Sequence, residues 1–324
     1  MKAVLCKEWG GPEKLVVEDI PARAPGARDV HLRIRAAGVN FPDVLIIQKK
    51  YQLQPPLPFT PGSEIAGEVL AVGAEVSDLA PGARVACVCQ LGGFAEELVV
   101  PAKLCLPLPK NVSFETAATV PMVYGTSWHA LHDQAQLRSG ETLLVLGAAG
   151  GVGLAAVQIG KLIGARVIAA ASSEEKLGVC RANGADAGIN YASEDLRDAI
   201  KRLTDGKGPD VIYDAVGGSY SEPAFRSIAW RGRHLVIGFA AGAIPAIPWN
   251  LPLLKGAAIV GVFWGEFVRR EPDNSRREML DVFAYVAEGR LSPLVSKRYS
   301  LDQVPYALEQ MAARNVVGKL VVLP

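Results

Sequence analysis

Val30-His-Leu32-Arg-Ile34-Arg-Ala36 alternates apolar and polar side chains, the period of two expected of a half-buried strand. The same reading predicts strands over Glu64 to Val72 and Ala83 to Val88, bounded by Pro-Gly turns at Pro61-Gly62 and Pro81-Gly82. Prolines at 55, 56, 58 and 61 make the intervening segment a stiff, extended loop. Residues 1–110 therefore read as β-rich. From Ser113 the period lengthens, and a helical stretch is predicted to about Leu137. Beyond it, apolar strands at Leu143–Leu146, Arg166–Ala170, Val211–Asp214 and His234–Ile237 alternate with helical segments at Leu154–Ile163, Glu174–Asn183, Leu196–Leu203 and Glu222–Trp230. That alternation implies a parallel sheet with helices on both faces. A further strand is predicted at Ile259–Trp264, helices at Arg276–Glu288 and Asp302–Arg314, and a closing strand at Gly318–Leu323. Ser300 and Gln303 have capping-box spacing for the last helix. The plan is α/β: a β-rich domain, interrupted by a doubly wound parallel sheet and rejoined by the C-terminal segment.

The stretch Leu143-Leu-Val-Leu-Gly147-Ala-Ala-Gly150-Gly151-Val-Gly153-Leu-Ala-Ala-Val157 reads as a buried strand, a glycine turn and the opening of an apolar helix. A dinucleotide pyrophosphate needs that order, because glycines let the backbone approach the phosphates and a helix N-terminus supplies free N–H donors. Gly150 and Gly153 fit the second and third positions of the G-x-G-x-x-G fingerprint, and Ala148 replaces the first. No charged residue occurs from Thr142 to Gly160, long enough for a membrane span by hydropathy alone, but five glycines around a turn argue against a lipid-exposed helix.

NAD-binding sheets carry an Asp or Glu at the tip of the second strand, which holds the ribose 2′-hydroxyl. Here the strand ends Ala169-Ala-Ala171-Ser172-Ser173, followed by Glu174, Glu175 and Lys176. Hydroxyls at a helix start plus a lysine suit a 2′-phosphate, so NADPH is expected over NADH. The plainer reading is a helix cap, since Ser172 and Glu175 also have capping-box spacing, and Glu174 and Glu175 pull the other way.

Composition narrows the classes further. The chain has 324 residues, 50% of them hydrophobic and 21% charged, with a formal net charge of +1. That balance is soluble and globular, sized for two domains, and gives no electrostatic case for nucleic acid or an anionic membrane. No secretion signal is read in Met1-Lys-Ala-Val-Leu-Cys-Lys, and five scattered cysteines argue for reduced thiols; a cytoplasmic protein is expected. Cys87-Val-Cys89 is too tightly spaced for a zinc lobe and has no second pair. His129 and His132 share a helical face and make at most half a metal site, while His31 and His234 read as structural. No G-x-S-x-G nucleophile elbow is present.

Asn40-Phe-Pro-Asp43, Tyr51, Pro55-Pro-Leu-Pro-Phe-Thr-Pro-Gly62-Ser-Glu64, Ala148-Ala-Gly-Gly-Val-Gly153, Asn190-Tyr191, Asp214-Ala-Val-Gly-Gly218 and Gly318-Lys319 fall in one order along the chain. In that order they resemble the zinc-independent quinone oxidoreductases of the medium-chain dehydrogenase/reductase superfamily. Ser227-Ile-Ala-Trp-Arg-Gly232, Asn250-Leu-Pro-Leu-Leu-Lys255 and Phe263-Trp-Gly265 look most like one branch of that group. The resemblance implies a GroES-like β-domain over residues 1–120 and 262–324, a Rossmann domain over 121–261, and an active site in the cleft between them. It also implies a homodimer joined through edge strands near Ala257–Phe263. Zinc-dependent members carry a cysteine where this chain has Asn40 and a histidine where it has Ser63, and no cysteine-rich lobe lies between Val88 and Pro101; no metal is expected.

By the same resemblance, Ser172, Ser173, Lys176 and Tyr191 would surround the 2′-phosphate, and Ala149, Gly150, Gly151, Val152 and Gly153 the pyrophosphate. Thr126, Gly238, Phe239, Phe263, Trp264 and Gly265 would lie near the nicotinamide, and Lys319 is grouped with the cofactor residues. Asn40, Asp43 and Tyr51 would face the substrate. Some members have a tyrosine five residues after the asparagine, where this chain has Leu45 and loses a polar handle. The expected chemistry is hydride delivery from NADPH to a quinone or to the β-carbon of an α,β-unsaturated carbonyl. Asn40 and Tyr51 are the candidate donors to the developing oxyanion, Tyr51 or water the proton source, and Asp43 an orienting group or a helix-dipole partner. Two rivals stand beside it. An enoyl-thioester reductase would need a basic rim, for which Arg269 and Arg270 qualify, although Glu266 and Glu271 flank them. An NADPH-binding sensor would bind the nucleotide with little turnover.

Overall fold

The structure, a computed structural model, describes all 324 residues. In chain order the first elements are β1 (Lys2–Cys6), β2 (Leu15–Asp19), β3 (Asp29–Val39), α1 (Phe41–Ile47), β4 (Glu64–Val72), β5 (Arg84–Val88), β6 (Glu97–Pro101), β7 (Cys105–Pro107) and α2 (Phe114–Ala117). The middle of the chain contains α3 (Pro121–Trp128), β8 (Thr142–Leu146), α4 (Gly151–Ile163), β9 (Arg166–Ala171), α5 (Glu174–Ala182), β10 (Ala187–Asn190), α6 (Leu196–Leu203) and β11 (Val211–Asp214). It continues through α7 (Ser221–Arg226), β12 (Arg233–Val236), α8 (Asn250–Lys255), β13 (Ala258–Gly261) and α9 (Trp264–Arg270), and α10 (Pro272–Ala287), β14 (Val295–Ser300), α11 (Val304–Ala312) and β15 (Lys319–Leu323) complete it.

The chain divides into two compact units: Met1–Met122 with Met279–Gly289 and Pro293–Pro324, and Val123–Glu278 with Arg290–Ser292. The chain re-enters the first unit at Met279, within α10.

The first unit is built on a seven-stranded sheet in the order β14-β15-β3-β4-β5-β7, with β6 also on β3. One edge of β3 serves two partners in succession, β6 over Asp29–Arg33 and β15 over Ala37–Val39, which is why the strand outruns the seven alternating residues that signal it. Leu32, Ile34, Val39, Ile65, Val85, Leu320 and Val322 bury their side chains in one core, so the last strand of the chain packs with the first residues.

The second unit holds a parallel six-stranded sheet in the order β10-β9-β8-β11-β12-β13. Alternate side chains serve opposite faces. Leu144, Leu146, Ile168, Ala170 and Ile212 pack with Leu196 and Ile200 of α6, Phe225 of α7 and Leu251 of α8. On the other face α4 lies so close that a Cβ on Gly160 would come 2.7 Å from Leu143 Cδ2 and 3.0 Å from Val167 Cγ2. The second unit is a Rossmann-type doubly wound sheet and the first a GroES-like β-domain. No helix is long and apolar enough to cross a membrane.

Two stretches depart from the sequence reading. Residues 113–137 are not one helix: α2 stops after one turn, α3 begins afresh at Pro121, and His129–Gln134 continues it as a π-helical segment. Proline cannot donate to the preceding turn and disfavours helical geometry in the residue before it, so the break falls where the sequence puts Pro121. The predicted strand Ile259–Trp264 ends at Gly261, and Trp264 opens α9 instead.

Candidate active site

In the second unit the predicted nucleotide residues gather at the carboxyl ends of the parallel strands, where open α/β sheets hold their ligands. After β8 the chain turns at Gly147, whose φ of +70° favours glycine. Gly150 takes the N-cap position of α4 with no side chain to cap it, which leaves the N–H groups of Gly151, Val152 and Gly153 as free donors. Gly153 is required by packing, because a Cβ there would lie 2.3 Å from the Gly147 carbonyl oxygen. Ala149 is buried behind the turn.

At the tip of β9, Ser173 rather than Ser172 caps α5: its Oγ accepts the Lys176 N–H at 3.3 Å. This corrects the cap register by one residue and frees Ser172, whose Oγ accepts the Lys176 ammonium at 3.2 Å. Tyr191 is drawn alongside by its N–H to the Ala171 carbonyl at 3.1 Å, and its ring packs on Tyr220 at 4.6 Å. Two hydroxyls and an ammonium therefore gather at one strand tip, with the backbone of Tyr191 beside them. Glu174 turns to Arg181, at 3.2 Å.

The loops after β11 and β12 are organised by Asp214, which the sequence reading did not single out for a role. Its Oδ1 accepts the N–H groups of Val216 and Gly217, and its Oδ2 takes Ser221 Oγ at 2.5 Å and His234 Nε2 at 3.1 Å. Those donors hold its carboxyl below the usual range despite burial. His234, expected to be satisfied, has only one ring nitrogen paired, and Nδ1 is buried without a partner. The Asp214 loop approaches the glycine turn, since a Cβ on Gly147 would come 2.8 Å from Val216 Cγ2. The segment holding Gly238 and Phe239 is tied to it through Ala240 and Ala241. Ser127, next to Thr126, donates to the Val152 carbonyl at 2.9 Å and so fixes α3 on the first turn of α4. Phe263 is exposed and Trp264 buried at the start of α9, whose Phe267 stacks on His129 at 4.1 Å. His132 stacks on Trp128 instead, and nowhere do three or more His, Cys, Asp or Glu side chains converge as a metal would need. Arg269 and Arg270 both close on Glu266, which offsets one of the two charges of the basic rim.

In the first unit, Asn40 precedes α1 and Asp43 lies in its first turn, where Asp43 Oδ2 accepts the Asn40 N–H at 2.8 Å. The Asn40 carboxamide turns into the interior, with Nδ2 donating to Glu64 Oε1 at 2.9 Å and Oδ1 accepting Lys319 Nζ at 2.6 Å. Lys319, grouped above with the cofactor residues, lies in this unit with its three ammonium protons directed to Val39 O, Asn40 Oδ1 and Glu64 Oε1. Glu64 Oε2 takes the Met122 N–H at 2.9 Å. Both charges are buried, Glu64 at 0% and Lys319 at 3% exposure. Such a pair is tolerated only because its remaining lone pairs and protons are also satisfied. Neither end of Asn40 is left for a ligand. Tyr51 is half-buried; its hydroxyl is held above its usual range first by desolvation and then by the negative charge of Asp43. Cys89 donates Sγ–H to the Gly62 carbonyl at 3.6 Å, and Cys87 is buried opposite Cys105 across the β5–β7 ladder.

Two family models match the chain: an alcohol dehydrogenase GroES-like domain over residues 26–110 and a zinc-binding dehydrogenase over residues 151–284. A quinone oxidoreductase-like protein 2 homolog from Nematostella vectensis is 41% identical over 99% of this chain and 88% of its own length. The chain belongs to the quinone oxidoreductases of the medium-chain dehydrogenase/reductase superfamily. The first of those relatives carries the name of the branch that the segments at Ser227, Asn250 and Phe263 mark. A quinone oxidoreductase from Pseudomonas syringae has a solved structure 33% identical, with a TM-score of 0.93, matching 100% of this chain and 99% of its own. The Escherichia coli quinone oxidoreductase, solved in complex with NADPH, is 28% identical with a TM-score of 0.93, and all of each chain is covered. The protein is an oxidoreductase of that superfamily with a nucleotide-binding unit.

Proposed function

We propose that this protein is an NADPH-dependent reductase that delivers a hydride to a quinone or an α,β-unsaturated carbonyl and uses no zinc. The observation that carries the cofactor choice is the tip of β9, where Ser172, Ser173 and the Lys176 ammonium stand in place of a carboxylate. A 2′-phosphate gains charge-assisted hydrogen bonds there; a 2′-hydroxyl gains little from an ammonium. The pyrophosphate is assigned to the N–H groups of Gly151, Val152 and Gly153, with Gly150 and Ala149 letting it approach. Thr126, Gly238, Phe239 and the start of α9 from Phe263 to Gly265 are assigned to the nicotinamide. When bound, that ring supplies the hydride.

The chain's own contribution is position and a proton. Asn40 and Glu64 are occupied by Lys319, so the cation of the buried cluster is an ammonium, and the donors Asn40, Ser63 and Glu64 are a poor set for zinc. Asn40 therefore supports the site as a brace, and the role of donor to the developing oxyanion passes to Tyr51. Its phenol gives the proton that completes the alcohol of the hydroquinone, or the C–H of the saturated ketone by way of the enol. The test is NADPH and NADH oxidation against a panel of quinones, simple enones and enoyl thioesters. Turnover with NADPH and a quinone or enone supports the reading. A strong preference for enoyl thioesters replaces it with thioester reduction, and tight NADPH binding without turnover replaces it with a sensor.

The protein is further proposed to be a homodimer and cytoplasmic. β13 ends the six-stranded sheet with one edge unpaired, and beside it Trp230, Trp249, Leu253 and Leu254 are 68, 85, 78 and 68% exposed. An unpaired strand edge next to a large apolar patch calls for a partner, and a second copy supplies both by antiparallel pairing of β13 with itself. The free cysteines suit a reducing compartment.

A further inference from the structure

Asp43 is the one acidic side chain of the first unit that is fully buried and has no cation of its own. Oδ2 is occupied by the Asn40 N–H, and Oδ1 is buried with no hydrogen-bond partner. The only ammonium that reaches the cluster is Lys319, and its three protons are already directed to other oxygens. A carboxylate in this setting gives up most of its hydration and recovers one hydrogen bond, whereas a neutral carboxylic acid loses far less.

The groups around it have been placed already. Asn40 lies on its own turn, Ser63 and Glu64 at the start of β4, Lys319 on β15, Cys89 beyond β5 and Tyr51 beyond α1. Burial raises the Asp43 carboxyl to about 7 and Glu64 adds to the rise, outweighing the Asn40 N–H, Lys319 and the nearby Ser63 hydroxyl dipole, which favour the ionised form. Tyr51 feels the state of this group, since a charge on Asp43 tightens its hold on the phenolic proton.

We propose that Asp43 is a positioning residue carried as a neutral acid with its proton on Oδ1, and that its ionisation withdraws Tyr51 as the proton donor. The inference rests on the reductase reading above. In that reaction the acceptor takes a hydride from the bound nicotinamide. The Tyr51 O–H bond breaks as the product takes its proton, and water refills the phenolate. A carboxylate at position 43 disfavours the phenolate that this step creates, so the proton transfer slows when Asp43 loses its own proton. Asp43 touches no reacting atom in this scheme.

The test is an infrared titration of the full-length protein, using protein labelled with [13C]aspartate to assign the bands. The expected result is a protonated-carboxylic-acid band that shifts with the label, fades as pH rises through about 7, and is missing from Asp43→Asn. Alongside it, the turnover of a quinone by the wild type is expected to fall through the same pH range, and the profile of Asp43→Asn to stay flat there, whatever its absolute rate. Absence of the band, or the same alkaline limb in the variant, overturns the proposal. Should Asp43→Asn fail to fold, the labelled wild-type band decides alone. A protein that shows the band and turns over no acceptor leaves Asp43 protonated and removes the reductase reading instead.

Discussion

The Lys319 ammonium lies 2.6 Å from Asn40 Oδ1 and 2.7 Å from Glu64 Oε1, linking the last strand of the chain to residues 279 and 255 positions earlier. Removing the ammonium leaves Glu64 charged, buried and short of a counter-ion. Lys319→Met is therefore expected to cost about 3–5 kcal/mol of stability, and adding Glu64→Gln to recover a large part of it. Urea unfolding of the single and double variants checks this. Equal losses in both would show that the pair is not what holds the cluster.

Lys176→Ala removes the one cation at the tip of β9. NADPH affinity should fall about 10- to 100-fold, the worth of a charge-assisted contact, with NADH affinity nearly unchanged. Fluorescence titration with both nucleotides reads the difference directly. An equal loss for both would assign Lys176 to the fold of the loop.

Two glycines of the turn should separate. A Cβ on Gly153 meets the Gly147 carbonyl oxygen at 2.3 Å, whereas one on Gly150 meets nothing nearer than 3.5 Å. Gly153→Ala is expected to cost about 1–3 kcal/mol of stability along with nucleotide binding. Gly150→Ala, at an ordinary φ of −75°, should keep its melting temperature and lose affinity alone, because the methyl group stands where phosphate must approach.

The Asp43 carboxyl, raised to about 7 in the fold, returns to about 3.9 in the unfolded chain. Between those values the folded state holds a proton that the unfolded state has released. Its contribution is complete below about pH 4 and declines as pH rises through about 7, by about 1.4 kcal/mol per unit at most. Comparing wild type with Asp43→Asn by denaturation across that range isolates it, and a difference independent of pH would contradict the assignment.

Ile259 is 38% exposed on the unpaired edge of β13. Ile259→Lys places a charge where a second copy would pair. Light scattering should find a dimer in the wild type and a monomer in the variant. A wild-type monomer would remove the edge-strand assembly.

Some of this was legible in the sequence because its signals are local. Leu143 to Val157 announces strand, turn and helix within fifteen residues, and Pro121 marks a break that periodicity alone runs through. The strand tip at Ser172 was readable to within one residue of its cap. The Asn40–Glu64–Lys319 cluster was not, since its members meet only after the sheet has closed. A faint signal existed: Glu64 and Lys319 each open a mainly apolar strand, and a charge at the inner end of a buried strand needs an opposite one. Asp214 and His234 lie on neighbouring parallel strands, where Asp214 faces Val236 in register and His234 faces Ile212, and nothing local joins them.

The position of β15 between β14 and β3 also sets an order of events during synthesis. The middle unit, from Val123 to Glu278 apart from three later residues, can fold as soon as it leaves the ribosome. The N-terminal residues cannot complete their sheet until Lys319–Leu323 have been made, and until then Glu64 lacks its ammonium. A chain cut short before Lys319 is therefore left with a sound nucleotide-binding unit and an open first unit, with the edge of β3 bare where β15 should lie.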